Sequence, residues 1–126
     1  MGAGIDMGSD EIDNCASFAT IEVTTDKTVY APLETVTGHI VFTNNSGASM
    51  YVNGAGNIYD GNENLIYTNS GSVTMATGVN TFNLSNLFGN LQIPSNASGN
   101  YTFEVLGSTS GITCIWSDTA VITVVP

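Results

Sequence analysis

The sequence predicts an all-β protein, an antiparallel sandwich of about seven to nine short strands in one domain. Three observations predict it. Residues 35–43 alternate strictly: Val36, Gly38, Ile40 and Phe42 fall on one face, Thr37, His39, Val41 and Thr43 on the other. That is the period of a strand with one buried face. Val, Ile, Tyr, Phe and Thr, the residues that suit a pleated surface, dominate the apolar runs. Gly, Pro, Asn and Asp punctuate those runs, supplying turn geometry between strands.

The elements follow in order. Residues 1–14 are Gly-rich and acidic and read as an extension; residues 15–126 form the domain. Residues 16–24 read as the first strand, with Phe18 in the core. Pro32 presets a turn and cannot donate to a ladder, so it belongs between strands. Residues 35–43 are the second strand, and 44–47 a turn. Residues 50–52 start a third strand, broken by Gly54 and Gly56, which suggest a bulge or a close backbone approach. Residues 58–59 and 65–67 flank a polar turn and form a hairpin. Residues 73–75 and 81–84 are shorter strands. Residues 87–94 are apolar but irregular and end at Pro94. Tyr101, Phe103 and Val105 share one face of the next strand, with Tyr101 placed as a corner tyrosine whose hydroxyl bonds nearby backbone. Residues 112–116 and 119–125 close the chain. Both faces of 120–125 are apolar, so that strand needs cover on both sides or a partner chain. No helix is required.

Charge narrows the partners. Lys27 is the one basic side chain against eleven carboxylates, a net charge of -10. Nucleic acid is excluded, because phosphate binding needs Lys and Arg, and anionic membrane surfaces are disfavoured. Charged residues are 10% of the chain, against a usual quarter or so. The surface must then be Thr, Ser, Asn and Gly, the composition of a secreted or cell-surface β protein. No apolar run is long enough to span a membrane. Met1-Gly2-Ala3-Gly4 has neither the positive segment nor the apolar run of a signal peptide, so the numbering is expected to start at a processed or recombinant end. Cys15 and Cys114 lack metal-ligand spacing, and one disulfide is the simplest reading in an extracellular setting.

Few residues carry chemistry. His39 is the lone histidine, and its alternation turns it outward, which suits a surface side chain better than a catalytic base. With no Arg and no catalytic motif, the chain reads as non-enzymatic. Asp6, Asp10, Glu11 and Asp13 are the candidate cation ligands, calcium being the ion such an oxygen set would take, although a solvated acidic tail explains them as well. No other cofactor is expected. Asp60, Gly61, Asn62, Glu63 and Asn64 resemble a metal loop but supply turn geometry by themselves. Sequons stand at Asn44, Asn83, Asn96 and Asn100; composition alone gives roughly three. Asn44 and Asn96, placed in turns, are the favoured acceptors. Tyr59, Tyr67 and Trp116, with Tyr51, are the candidates for a stacking platform toward carbohydrate, against ordinary packing as the plainer account.

The run from Asp26 to Asn45 resembles the opening strands of immunoglobulin-like domains of bacterial and archaeal surface proteins and of macroglobulin-type domains. Asp26, Lys27, Tyr30, Pro32, Glu34, Val36, Gly38, Ile40, Phe42 and Asn44 fit that pattern. Leu33 stands where the pattern has glycine. Residues 57–67 resemble the middle hairpin of such domains and 99–105 the penultimate strand. The resemblance implies an immunoglobulin-like antiparallel sandwich over about residues 18–126 and says almost nothing about activity. Two functions remain open: an extracellular structural subunit of a filament, pilus or surface layer, joined to copies of itself or another surface protein by strand addition; and an adhesion or carbohydrate- or protein-binding module of a larger surface protein. A small proteinase-inhibitor-like sandwich is a third reading, for which no inhibitory loop is marked.

Overall fold

The computed structural model describes residue 15, residues 17–111 and residues 113–126. Among the described residues, a helical turn before β1 leads into ten strands and the short helix α1: β1 (Ala19–Thr25), β2 (Val29–Tyr30), β3 (Thr35–Val36), β4 (Gly38–Asn44), β5 (Met50–Tyr59), β6 (Leu65–Met75), β7 (Gly78–Asn83), α1 (Ser85–Phe88), β8 (Leu91–Gln92), β9 (Gly99–Ser108) and β10 (Ile115–Val124). One sheet has the order β1-β4-β7, the other β2-β10-β9-β5-β6, and β3 and β8 form a two-stranded ribbon. All pairings are antiparallel except that of β2 with β10. This is the all-β sandwich that the alternation predicts, of the immunoglobulin-like kind that the resemblance implies. The count exceeds the expected seven to nine because three strands are two-residue pieces.

The predicted strand over 35–43 is divided between two sheets. Val36, Gly38, Ile40 and Phe42 are buried as the alternation requires, and Thr37 and His39 are exposed. However, β3 pairs with β8, whereas β4 pairs with β1 and β7. Gly38 sits at the switch. A Cβ there would lie 2.1 Å from the Thr24 carbonyl oxygen, so only glycine lets β4 reach β1. Upstream, the Glu34 amide donates to the Ala31 carbonyl across Pro32 and Leu33, and Leu33 has φ 72°. Leucine therefore occupies the left-handed position that the related pattern gives to glycine.

Other expectations change. Phe18 lies before β1, in a helical turn, and is 37% exposed rather than core. β5 runs unbroken through Gly54 and Gly56, and its register shift falls at Ile58/Tyr59 instead. Gly56 is a close approach: a Cβ there would lie 2.9 Å from side-chain atoms of Leu87 and Phe88. The runs expected at 65–67 and 73–75 are one strand of eleven residues, β6. A four-residue helix, α1, stands where irregular chain was read; it buries Phe88 against Phe103, with ring centroids 5.4 Å apart.

Two apolar clusters fill the sandwich. The larger includes Val36, Ile40, Leu84, Phe88, Phe103, Val105 and Ile122. The second groups Ala19, Phe42, Met50, Val52, Met75, Cys114 and Trp116, and Phe42 meets Trp116 edge-on at 5.6 Å. Cys15 and Cys114 form the expected disulfide, joining positions 99 residues apart. The Trp116 indole N–H donates to the Cys15 carbonyl at 2.7 Å, pinning the entry of the chain to β10. β1 packs against β10, and the Val23 amide donates to the Asp118 carboxylate at 2.9 Å. One side of the sandwich is thereby closed.

Candidate functional site

The opposite side is open. β6 ends the larger sheet and β7 ends the smaller one, so each is paired on one edge only. Between them lies a groove of about 310 Å³ whose apolar walls include Ile40, Phe42, Val52, Val73 and Phe82. The sequence makes the groove by omission. In β6 the residues directed between the sheets are Tyr67, Asn69, Gly71, Val73 and Met75, the odd positions, because successive strand residues point to opposite faces. Gly71 pairs with Gly54 of β5, and both line the groove. Two opposed glycines leave empty a place that side chains would fill. A Cβ at Gly71 would meet nothing within 4 Å.

Neither edge carries charge or proline, and the irregularity on β6 is confined to the register shift near its start, between Leu65 and Tyr67. β6, Leu-Ile-Tyr-Thr-Asn-Ser-Gly-Ser-Val-Thr-Met, and β7, Gly-Val-Asn-Thr-Phe-Asn, contain no charged residue and no proline. Charges, proline, bulges or shortness normally blunt a sheet edge against pairing with another chain. Val73 is 42% exposed and Val79 70% exposed. In this chain of net charge -10, both open edges are neutral.

Where β5, β6 and β9 lie side by side near Asn57, the outer face of the larger sheet is polar and hydrogen-bonded. The Thr68 hydroxyl donates to the Asn57 side-chain oxygen at 2.7 Å, and the Asn57 amide donates to the Glu104 carboxylate at 3.0 Å. The Tyr59 hydroxyl donates to the same carboxylate oxygen at 3.1 Å, and this bond to Glu104 raises the phenol above its ordinary range. A second opening, about 340 Å³, lies between β6 and residues 91–97; Tyr67, Tyr101, Asn96 and Ile66 stand at it over the buried Ile58 and Phe103. Tyr101 makes no corner hydrogen bond among the described residues.

The expected stacking platform does not assemble. Trp116 is 5% exposed, packed on Phe42. Tyr67 pairs with Ile58 and faces inward toward Phe88, whereas Tyr59 pairs with Leu65 and faces outward. The register shift beside Tyr59 separates the two tyrosines that the hairpin was expected to juxtapose. Tyr51, 58% exposed, lies toward the other end of β5, opposite Thr74.

Asn44 is displaced from its expected role as well. It is 2% exposed, its amide donates to the carbonyls of Ala48 and Met75, and its oxygen accepts from Ser46. A glycan cannot be attached to a buried amide with these bonds. Asn83, Asn96 and Asn100 are exposed. Asp60 behaves as a turn residue: its carboxylate accepts from the amides of Asn64 and Asn62, which hold its pKa below the usual carboxylate value. His39 is exposed on β4, opposite Asn83. Asp6, Asp10, Glu11 and Asp13, the candidate calcium ligands, lie outside the described residues, and no cluster of metal-ligating side chains occurs among the described ones.

Comparison with known proteins speaks to the fold. No protein-family profile and no curated protein matches the sequence. Among solved structures, the chain is similar to the sporulation control protein Spo0M of Bacillus subtilis, with 15% identity, TM-score 0.56 and coverage of 86% of this chain and 49% of that one. A cycloisomaltooligosaccharide glucanotransferase of Paenibacillus sp. matches at 20% identity and TM-score 0.63, over 83% of this chain and 14% of the enzyme. The chain thus spans about half of the first and a small part of the second. It also matches a CARDB domain from Pyrococcus furiosus, at 16% identity and TM-score 0.55, over 85% of this chain and 87% of that domain. At these identities the likeness establishes an immunoglobulin-like β-sandwich, a fold that hosts many functions.

Proposed function

We propose that this chain is a non-enzymatic extracellular subunit that assembles through its open sheet edges. The observation that carries this reading is β6: eleven residues, uncharged, paired on one side, beside an apolar groove. An incoming strand would satisfy its free main-chain groups and cover the groove in one step, the economy of strand addition. The disulfide and the single basic residue suit an extracellular setting. The edge used is not the one that sequence pattern suggests. β10 lies inside its sheet, between β9 and β2, so its apolar run already has neighbours.

The test is light scattering and negative-stain electron microscopy of the purified chain, beside Ser70→Lys. Ser70 lies on β6, exposed and with no side-chain hydrogen bond among the described residues, and an edge lysine opposes strand pairing. Ordered oligomers or filaments in the parent chain, lost in Ser70→Lys, are expected. Single particles at every concentration would overturn the reading.

A second reading, a carbohydrate-binding module, draws on the outer face, where Tyr59 presents its ring beside Glu104 and Asn57. A glycan array separates the two readings: saturable binding lost in Tyr59→Ala favours the module, and its absence leaves the subunit.

A further inference from the structure

Among the described residues no side chain fills the groove at Gly54 and Gly71, and the sequence carries a segment that fits it. In residues 1–8, Met1, Ala3, Ile5 and Met7 alternate with Gly2, Gly4, Asp6 and Gly8. That pattern puts every apolar side chain on one face of an extended strand and only glycine or aspartate on the other. The groove asks for such a strand. It has apolar walls, a missing pair of side chains at Gly54 and Gly71, and a neutral main-chain edge on either side.

We propose that residues 1–7 of one copy insert as a strand into the groove between β6 and β7 of a second copy. This rests on the assembly reading above and names its donor. Ile5 and Met7 would occupy the space that Gly71 and Gly54 leave, while Asp6 points to solvent.

The placement of the two halves favours a neighbour over self-insertion. The donor segment joins the described chain at Cys15, held by the disulfide to Cys114 and by its carbonyl to Trp116, on the closed β1/β10 side. The acceptor lies on the other side, at the opposite ends of both sheets. Donor and acceptor on different surfaces make a head-to-tail contact, which propagates into rings or open filaments rather than stopping at a dimer. From Met7 to Cys15 the chain spans at most about 29 Å when fully extended, enough to bridge adjacent copies.

Two variants of the full chain test this. Gly71→Trp fills the acceptor, where an added Cβ has open space, and leaves the donor intact. Ile5→Asp with Met7→Asp spoils the donor and leaves the acceptor intact. Light scattering is read on each alone and on an equimolar mixture, with circular dichroism to show that each is folded. Each alone should stay monomeric, and the mixture should form a dimer and no larger species, since one free donor meets one free acceptor. A synthetic peptide of residues 1–13 should bind the donor-spoiled chain and bind Gly71→Trp at least about tenfold more weakly. Assembly that survives in both variants would overturn the proposed donor while leaving self-association standing. A monomeric parent chain whose residues 1–13 resist protease, and lose that resistance in Gly71→Trp, would overturn it in favour of self-insertion. Absence of assembly with a protease-sensitive segment would sink both this inference and the reading beneath it.

Discussion

Leu33 shows how one side chain can oppose the turn it occupies. Its φ of 72° is a conformation that costs an L-residue about 1–2 kcal/mol. The turn holds because its neighbours over-determine it: the Leu33 amide donates to Ile93 at 2.8 Å, and the Ala31 amide donates to the Glu34 carboxylate at 2.7 Å. Lys27 pairs with that same carboxylate and is the first cause of its lowered pKa. Leu33 is 59% exposed, so little apolar burial would be lost on its removal. Leu33→Gly should raise stability by about 1 kcal/mol, read from urea denaturation; a lower midpoint would mean that the leucine side chain matters more than its backbone. Asn44 is the converse case, a polar side chain that the interior requires. Asn44→Ala would remove the side-chain donor from the buried Met75 carbonyl and one of the two side-chain donors to the Ala48 carbonyl, which also accepts from the Ser46 hydroxyl. It should cost about 2–3 kcal/mol, and peptide mapping from a glycosylating host should find Asn44 unmodified. The sequence marks Asn44 as a sequon in a turn. Its burial follows from its place one residue pair beyond Phe42 on the inward face, a fact that alternation carries but composition hides.

At the scale of elements, legibility tracks period. β4, β9 and the Asp60 turn were readable because alternation and turn chemistry agree there. The middle of β6 was not, because positions 68, 70 and 72 carry Thr, Ser and Ser and the intervening ones are Asn69 and Gly71, which breaks the apolar alternation. The same feature that hid the strand opens the groove, so the candidate site was the least legible part of the chain. The stacking platform failed for a related reason: sequence spacing gives proximity along a hairpin, but one register shift decides which face each tyrosine takes. The disulfide, by contrast, needed only a count of cysteines. It joins the helical turn before β1 to the approach of β10 and closes a loop of 99 residues. In the chain-entropy account such a loop contributes up to about 4.7 kcal/mol. Replacing both cysteines by serine should lower the urea midpoint by a corresponding amount and make it insensitive to reductant; a midpoint equal to the parent's would show that the bridge adds nothing to stability.

For the whole molecule, charge and assembly pull against each other. Copies of net charge -10 repel at a distance. The acceptor edges, however, bear no carboxylate: β6 and β7 have none, Glu22, Glu104 and Asp118 sit on β1, β9 and β10, and Asp6, the one charge in the proposed donor strand, points to solvent. Repulsion therefore acts through solvent between charges that do not meet, the kind of interaction that salt screens. The Debye length falls from about 30 Å at 0.01 M ionic strength to about 3 Å at 1 M. Apolar burial and main-chain pairing at the groove are not weakened over that range. Assembly should accordingly grow stronger with added sodium chloride, with the concentration at half-assembly falling by light scattering as salt rises. A contact built from ion pairs would respond the other way. Weakening with salt would place the interface on the charged faces and away from the β6/β7 edge. Equal ionic strengths of sodium and calcium chloride should act alike unless the acidic residues Asp6, Asp10, Glu11 and Asp13 bind the cation, in which case calcium would strengthen assembly at concentrations too low to screen.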